Sequence, residues 1–317
     1  MSPIVLQVEN LTKRYGAVTA VNHLSLAVNE GEVFGFLGPN GAGKTTSINM
    51  LCGLLTPDAG RVLIHNQLIT NGDTEVQARV GVCPQNVVVW ERLTCLEQLQ
   101  FIGEMYGLKG SYARQRGAQL LAQLDLDEKR HQQARTLSGG MRRRLSLALA
   151  LVHDPEIIVL DEPEAGLDPQ SRIKVRDFIR SLARRKTIIL TTHNMDEAER
   201  VADRIAIIDH GELLVLDTPE ALKRSVGEGD VLEIALNGQA GEDKMQQAYQ
   251  ALTRVTPQVS VDAGQGAVTV RALNVVNLLP AIMEALAQAD LHCGEVRLRA
   301  NSLEDVFIQL TGRRLRE

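Results

Sequence analysis

A glycine-rich octapeptide at residues 38–45 constrains this chain more than any other segment. It reads Gly-Pro-Asn-Gly-Ala-Gly-Lys-Thr and fits the pattern G-x-x-x-x-G-K-[ST]. The apolar run at residues 33–37 predicts a buried strand before it, and residues 43–55 predict a helix after it. Glycines let backbone N–H groups surround phosphate oxygens, and the start of a helix favours negative charge. The segment therefore predicts a nucleoside triphosphate site on an α/β domain.

Side chains of this segment have distinct expected roles. Lys44 is long enough to reach the β- and γ-phosphates, and the Thr45 hydroxyl is a ligand for Mg²⁺. An incidental lysine in a glycine-rich turn is the alternative, which the flanking strand and helix disfavour. The residues predicted to hold the nucleotide here are Gly38, Pro39, Asn40, Gly41, Ala42, Gly43, Lys44, Thr45 and Thr46.

Two carboxylates end a second apolar run. Residues 157–160 predict a buried strand, which Asp161 and Glu162 follow directly. Open α/β folds bind their ligands at the carboxyl ends of strands, so these side chains are expected near the nucleotide. Asp161 is predicted to hold Mg²⁺ and Glu162 to polarise the attacking water. A solvated acidic turn is the alternative.

The chain divides into two regions with different patterns. Residues 1–224 alternate β-rich runs with helical patterns, which predicts an α/β domain with a largely parallel sheet and a helical insert at about residues 91–152. Residues 225–317 follow a β-α-β-β-α-β order, the split βαβ pattern of a ferredoxin-like α+β domain. Further predicted elements cover residues 187–191, 205–209 and 212–216 in the first region, and 231–236, 242–253, 258–261, 267–272, 275–289 and 296–299 in the second.

Composition excludes several classes of function. The net charge is −5 and aromatic residues make up 3% of the chain, so neither a basic field nor a base-stacking surface for nucleic acid is predicted. No apolar run approaches the roughly 18 residues that span a bilayer. The first residues do not have the pattern of a secretory signal. We therefore expect a cytosolic chain without a nucleic-acid partner.

A third motif, Leu137-Ser138-Gly139-Gly140-Met141, lies in the helical insert before the acidic strand. It resembles the signature motif of the nucleotide-binding subunits of ABC transporters, and this implies the P-loop ATPase cassette fold of that family. A serine hydroxyl and glycine amides at the start of a helix form an anion site. The resemblance implies that Ser138, Gly139 and Gly140 close on ATP held by the other copy in a head-to-tail homodimer. A loop that only caps its helix is the alternative.

Four more residues follow in the order of that family. Tyr15 resembles the aromatic residue that stacks on adenine, and Asp168 resembles the aspartate of the D-loop. Gln85 resembles the Q-loop glutamine, which contacts Mg²⁺ and links the site to the membrane partner. His193 resembles the switch histidine that touches the γ-phosphate and acts with Glu162 in hydrolysis. Alone, a tyrosine or histidine is more often a packing residue, so the resemblance depends on the order in which these four residues follow one another. The Mg²⁺ ligands that the resemblance implies are Thr45, Gln85 and Asp161.

Two positions depart from the common pattern of the family. Met141 stands where many members of the family have glutamine, and methionine is common there in the branch that serves ABC-2-type export permeases. Glu164 stands where threonine is frequent. We assign Glu164 no catalytic role. The arginine run at residues 142–144 is predicted to be a solvated helix face, with contact to nucleotide or permease as the alternative. Residues 302–307 loosely resemble the domain appended in the same branch, which implies dimerisation, regulation or a structural role only.

Together the resemblances imply an ATP-hydrolysing subunit that energises a separate ABC-2-type permease from the cytoplasmic face of the membrane. A soluble ABC ATPase that acts on nucleic acid or ribosomes is a second hypothesis, which the single cassette and the acidic charge disfavour. A regulatory ATP-binding switch without turnover is a third, and the presence of both Glu162 and His193 argues against it.

Overall fold

The computed structural model describes residues 3–70, 74–227, 229–236, 242–257, 259–262 and 267–312. The chain forms two compact units, which divide between Pro219 and Glu220. The strands of the first unit are β1 (Ile4–Tyr15), β2 (Val18–Asn29), β3 (Val33–Leu37), β4 (Ala59–Ile64), β5 (Gln67–Leu68), β6 (Val80–Cys83), β7 (Ile157–Asp161), β8 (Thr187–Thr192), β9 (Arg204–Asp209) and β10 (Glu212–Asp217). Its helices are α1 (Lys44–Leu51), α2 (Thr74–Ala78), α3 (Cys95–Met105), α4 (Gly110–Gln123), α5 (Gly139–Leu151), α6 (Pro169–Leu182) and α7 (Met195–Val201).

A six-stranded sheet in the order β10-β9-β3-β8-β7-β6 forms the centre of the first unit. All of its pairs are parallel except β10 with β9. Strands β3, β7 and β8 are buried along their whole length, because apolar side chains cover both faces of the sheet. Phe34, Phe36 and Ile189 belong to the cluster on one face, and Ile158 and Leu190 to the cluster on the other. The carboxyl ends of β3, β6, β7 and β8 therefore meet at one edge, which is where the predicted site residues begin.

A second sheet of the first unit, in the order β2-β1-β4-β5, is antiparallel. It was not among the predicted elements, although Leu24, Leu26 and Val28 alternate with less buried residues along β2. That period of two is the signal of a half-buried strand. Side chains of this sheet share one apolar cluster with Phe34 and Phe36, so the sheet packs on the face of the parallel sheet that carries these two rings.

Helices occupy the insert, as its leucine spacing predicts. Helix α3 begins with a capping box, in which the Thr94 hydroxyl accepts from the Glu97 amide at 3.2 Å and the Glu97 carboxylate accepts from the Thr94 amide at 2.8 Å. Helix α1 is shorter than predicted, since it ends at Leu51 rather than at residue 55. Gly53, with φ +66°, leaves the helix in the left-handed conformation that ends many helices.

The second unit contains α8 (Pro219–Ser225), β11 (Asp230–Leu236), α9 (Glu242–Leu252), β12 (Val259–Asp262), β13 (Ala267–Ala272), α10 (Val275–Gln288), β14 (Cys293–Arg299) and α11 (Leu303–Thr311). From β11 to β14 the elements follow the predicted β-α-β-β-α-β order, and the antiparallel sheet has the order β12-β13-β11-β14. The division after Pro219 assigns α8 to this unit, earlier than the predicted boundary after residue 224. Gln258, at the start of one predicted strand, lies outside the described residues.

No helix in the described ranges is both long enough and apolar enough to cross a bilayer.

Candidate nucleotide site

The loop between β3 and α1 lies so close to its neighbours that two of its glycines have no room for a side chain. A Cβ atom at Gly38 would lie 2.3 Å from the Ile208 carbonyl oxygen, and one at Gly43 would lie 2.2 Å from the Ala20 carbonyl oxygen. Gly43 also has φ +98°, in the region that favours glycine. These contacts fix the backbone at the start of α1, where free N–H groups and the helix dipole favour an anion.

Lys44, the first residue of α1, is folded into this loop. Its ammonium donates hydrogen bonds to the carbonyl oxygens of Gly38 at 2.6 Å and Pro39 at 3.0 Å, and it lies 4.0 Å from Glu162 Oε1. Burial lowers the pKa of the Lys44 ammonium, and the charges of Glu162 and Asp161 oppose that shift. Because neutral carbonyls are its nearest partners, the cation keeps charge that can attract a phosphate.

Asp161, at the end of β7, is buried and accepts hydrogen bonds from two threonines. Thr45 Oγ1 donates to Asp161 Oδ2 at 3.4 Å, and the Thr191 hydroxyl, on the neighbouring strand β8, donates to Asp161 Oδ1. Mg²⁺ binds proteins through one or two carboxylate or hydroxyl oxygens, together with substrate phosphates and water. The donor set beside the phosphate loop fits this ion. Thr191 was not predicted as a site residue, although its position at the end of a predicted strand was a signal for it.

Glu162 follows Asp161 in an uncommon backbone conformation, with φ +50°. Residues with a side chain rarely adopt this conformation, and those that do are concentrated at functional sites. The Glu162 amide is held by Thr191 Oγ1 at 3.0 Å, while both carboxylate oxygens lie 3.0 Å from His193 Nδ1. The Glu162 carboxylate is buried, whereas 56% of the His193 side chain is exposed. The pair thus combines a buried carboxylate with a solvent-accessible imidazole, a suitable arrangement for proton transfer.

A cavity of about 260 Å³ joins these elements. It is lined by Pro39, Asn40, Gly41, Gly43, Lys44, Thr45, Thr46, Gln85, Asp161 and Glu162, together with Ala20. Ala20 was missed because it belongs to β2, in the antiparallel sheet that sequence reasoning did not predict. Apart from Gly38 and Ala42, the residues predicted to hold phosphate and magnesium thus line one cavity, and His193 joins them through its contact with Glu162.

The other predicted binding residues do not line this cavity. Tyr15 is 52% exposed at the end of β1. Ser138 and Gly139 are exposed at the start of α5, where the Ser138 hydroxyl accepts a hydrogen bond from the Met141 amide at 3.3 Å. A Cβ atom at Gly139 would meet nothing within 4 Å, so this helix start is open on that side.

Asp168 caps helix α6. Its two carboxylate oxygens accept from the Ser171 amide at 3.0 Å and from the Ser171 hydroxyl at 2.6 Å, and these bonds lower the pKa of Asp168. A Cβ atom at Gly140 would lie 2.7 Å from Ser171 Oγ. The starts of α5 and α6 are therefore packed together, and the Leu-Ser-Gly-Gly motif lies beside the predicted D-loop of the same chain.

The prediction of a solvated arginine face is wrong for two of its three residues. Arg143 and Arg144 are 2% and 6% exposed, and Arg142 is half-buried. Backbone carbonyl oxygens accept hydrogen bonds from both guanidinium groups, as is usual for buried donors, although within the described residues the buried Arg144 Nε has no acceptor. Glu164 is buried too, and its carboxylate is bonded to Arg176 of α6 at 2.9 Å rather than lining the cavity.

Comparison with known proteins identifies the family to which a chain with these features belongs. The sequence profile described as "ABC transporter" matches residues 21–165, which include the phosphate loop and both carboxylates of β7. The linearmycin resistance ATP-binding protein LnrL of Bacillus subtilis is 33% identical to the chain, over 99% of this chain and 100% of that protein. The Nod factor export ATP-binding protein I of Ralstonia nicotianae is 38% identical, over 99% of this chain and 95% of its own length.

Solved structures agree with these relatives. The dimeric post-hydrolysis state of the ATP-binding cassette MJ0796, bound to ADP and phosphate, matches with a TM-score of 0.62 and 27% identity, over 67% of this chain and 98% of that one. An ATP-binding subunit of an ABC transporter matches with a TM-score of 0.64 and 27% identity, over 70% of this chain and 92% of that one. The matched residues 21–165 include most of the residues that line the cavity, and the chain belongs to the ATP-binding proteins of the ABC transporter family.

Proposed function

We propose that this chain hydrolyses ATP to energise a separate ABC-2-type export permease, and that it works as a head-to-tail homodimer. The observation that carries the hydrolytic part is the buried Glu162 carboxylate, which lines the phosphate cavity and contacts His193. The names of the relatives, which refer to drug resistance and to Nod factor export, support the export direction.

In this proposal the triphosphate lies against the loop at residues 38–46, whose backbone N–H groups and Lys44 ammonium balance its charge. Mg²⁺, when bound, neutralises charge that develops on the β- and γ-oxygens; Thr45, Gln85 and Asp161 would hold it. Glu162 accepts a proton from the attacking water, and His193 orients that carboxylate at the γ-phosphate.

The second copy of the chain would complete the site. Ser138, Gly139 and Gly140 begin a 13-residue helix, and they do not line the cavity of their own chain. Because a helix start favours an anion, an exposed one is suited to the γ-phosphate held by another copy. Tyr15 is proposed to stack on the adenine, and Asp168 to contribute from the D-loop beside the motif. The dimeric post-hydrolysis structure of a related cassette supports this arrangement.

An exposed apolar surface supports a membrane partner. We define the α3 patch as Val88, Trp90, Phe101, Met105 and Tyr106, which are 42–68% exposed. The Trp90 and Phe101 rings meet edge to face at 5.6 Å, so the patch has a fixed aromatic part. Contiguous exposed apolar side chains mark interaction sites. A permease docked here, at the cytoplasmic face of the membrane, would touch the segment that begins at Gln85 in the cavity.

The substitution Glu162→Gln tests the hydrolytic assignment. It keeps the shape of the side chain and removes the base, so steady phosphate release should fall by about 10²–10⁴-fold. ATP binding should remain, and ATP should then hold the variant as a dimer in sedimentation experiments. The matched control is Glu128→Gln, at an exposed glutamate outside the cavity, which should behave as wild type. Unchanged turnover in Glu162→Gln would refute the assignment, and absence of turnover in the wild type would favour the non-hydrolysing switch.

The partner is tested with the α3 patch. The chain is co-expressed with a tagged ABC-2-type permease and solubilised in detergent, and the amount retained on the permease is measured. Met105→Glu, at the most exposed residue of the patch, should reduce retention by at least tenfold, while Leu68→Glu in β5 should not. ATPase activity that requires RNA, without retention of any variant, would instead favour the hypothesis of a nucleic-acid ATPase.

A further inference from the structure

Arg143, on the second turn of α5, has every guanidinium donor occupied by a backbone carbonyl oxygen beside the nucleotide cavity. Nε donates to Pro163 at 3.1 Å, and Nη2 donates to Asp161 at 2.6 Å and Glu162 at 2.8 Å. Nη1 donates to Gln85 at 3.0 Å and to the residue before it, Pro84. A guanidinium has five N–H donors, so these five bonds use its full capacity.

The acceptors belong to two separate segments that supply the proposed hydrolytic residues. One follows β6 and contains Gln85, and the other follows β7 and contains Asp161 and Glu162. Within the described residues Arg143 has no carboxylate within 4.0 Å, so its charge is shared among carbonyl dipoles rather than neutralised. The geometry is that of a rigid fork, which a lysine or a glutamine cannot reproduce.

The same helix connects Arg143 with the Leu-Ser-Gly-Gly motif. Helix α5 begins directly after Ser138, so Arg143 lies little more than one turn from the proposed anion site. One turn further on, the Ser146 hydroxyl lies 3.4 Å from Cys83 Sγ, which gives α5 a second contact with β6. A displacement of the start of α5 would therefore reach the Gln85 and Glu162 segments directly through Arg143.

We infer that Arg143 is a positioning residue, which holds the Gln85 and Glu162 segments in register for hydrolysis and couples them to the helix start that meets the second copy's ATP. This inference rests on the proposed function. Arg143 does not line the cavity, so it acts on turnover through the backbone of the residues that do. The inference gives the unusual arginine run a role that a solvated face would not have.

The test replaces each buried arginine of α5 by lysine. Misplacement of catalytic groups by about 1 Å costs on the order of 10²-fold in rate, so Arg143→Lys should lower kcat by about 10–100-fold. Its Kd for ATP should stay within about threefold, because phosphate binding depends on residues 38–46. Arg144→Lys is the matched control, since Arg144 is equally buried on the same helix but donates to the Leu124 and Asp125 carbonyls, outside the cavity. It should lower the melting temperature while kcat stays near that of wild type.

Hydrogen exchange gives a readout that does not depend on turnover. Arg143→Lys should speed amide exchange in peptides covering residues 84–90 and 161–168, and Arg144→Lys should do so only near residues 124–126. Equal losses of kcat in the two variants, or an unchanged exchange at residues 84–90 and 161–168, would overturn the inference. A wild-type chain without ATPase activity would refute the proposed function, and the exchange result would still decide whether Arg143 holds the two segments.

Discussion

The two units of this protein hold their buried or half-buried cations in opposite ways. Around the cavity of the first unit, Lys44 and Arg143 are bonded to neutral carbonyl oxygens. In the second unit, Arg299 is bonded to two carboxylates, Asp305 at 2.6 Å and Glu233 at 2.8 Å. Burial lowers the pKa of the Lys44 ammonium, whereas hydrogen bonds to Asp305 and Glu233 raise the pKa of Arg299 above its ordinary value.

The first arrangement leaves positive charge available to attract a ligand, whereas the second uses positive charge to stabilise the fold. A cation held by dipoles remains partly uncompensated, which costs desolvation energy but attracts a phosphate. A cation enclosed by carboxylates has little charge left for a ligand, and removing one partner leaves the other buried without compensation. We therefore expect substitutions in the first set to affect nucleotide binding and turnover, and substitutions in the second set to affect stability.

Lys44→Met should give the largest effect, a loss of ATP affinity. If ATP affinity did not change, the contrast between the two kinds of cation would be wrong. Methionine keeps the apolar stem and removes the ammonium. Hydrogen bonds to charged groups contribute about 1.5–3 kcal/mol, so the Kd for ATP should rise by roughly 10–100-fold. The free energy of unfolding should stay within about 1 kcal/mol of wild type, because the lost cation was itself costly to bury. Nucleotide binding is measured by calorimetry and stability by denaturant titration.

Lys186→Met is the matched control for this experiment. The Lys186 ammonium lies 2.9 Å from Asp154 Oδ1 and 3.2 Å from the Asp154 carbonyl oxygen, so it represents the compensated type within the first unit. This variant should bind ATP as wild type does and be modestly less stable. If Lys44→Met lost at least as much stability as Lys186→Met, the two kinds of site would not differ as we argue.

Asp305→Ala should give the next largest effect, on stability alone. Asp305 accepts two bonds from Arg299 and also accepts from the Ser302 amide at 2.8 Å, in the capping box that begins α11. The substitution removes both the cap and the ion pair, and should lower the free energy of unfolding by about 2 kcal/mol, because Arg299 is partly exposed. Glu304→Ala, at the exposed neighbouring position, should have little effect.

The same carboxylate predicts an acid dependence. Burial by itself would raise the pKa of Asp305, but the hydrogen bonds from Arg299 and Ser302 outweigh it and lower that pKa below 3.8. The stability from Asp305 is therefore complete above the unfolded-state pKa and is lost as the pH falls through the lower folded-state pKa. In denaturant titrations between pH 5 and pH 2, the difference between wild type and Asp305→Ala should shrink; a constant difference would contradict this origin.

Local patterns in the sequence predict much of this structure. The phosphate loop and the carboxylates after β7 are contiguous signals, and strands β7 and β8 each end one residue beyond their predicted ends. Ser302 and Asp305 have the three-residue spacing of a capping box, and both hydrogen bonds of that box are present at the start of α11. Such features depend on a few neighbouring residues, so chain order alone carries them.

The features that were not predicted depend on distant partners. The burial of Arg143 requires backbone carbonyl oxygens as far as 59 residues earlier and 18 or more residues later in the chain, and no sequence pattern around residue 143 predicts them. The ion pair of Glu164 with Arg176 spans 12 residues and a turn of the chain. Charged residues in a helix are usually solvated, which made a solvated face the natural prediction. Tertiary contacts overrode that rule at these positions.

A substitution beside His153 should give the smallest effect. It tests a third kind of ionisable group in this protein, a base that burial keeps neutral. Its ring stacks on Tyr106 at 3.8 Å between centroids, with 9° between the planes, and burial lowers the pKa of His153 from 6.5 to about 4. The unfolded chain therefore takes up this proton first as the pH falls. The stability that neutral His153 contributes is complete above about pH 6.5 and is lost progressively toward pH 4. Tyr106→Ala should expose the ring and raise its pKa in an NMR titration, whereas Tyr112→Ala, at an exposed tyrosine of α4, should leave it unchanged. A His153 pKa that is equal in both variants would mean that the stacked ring does not keep this base neutral.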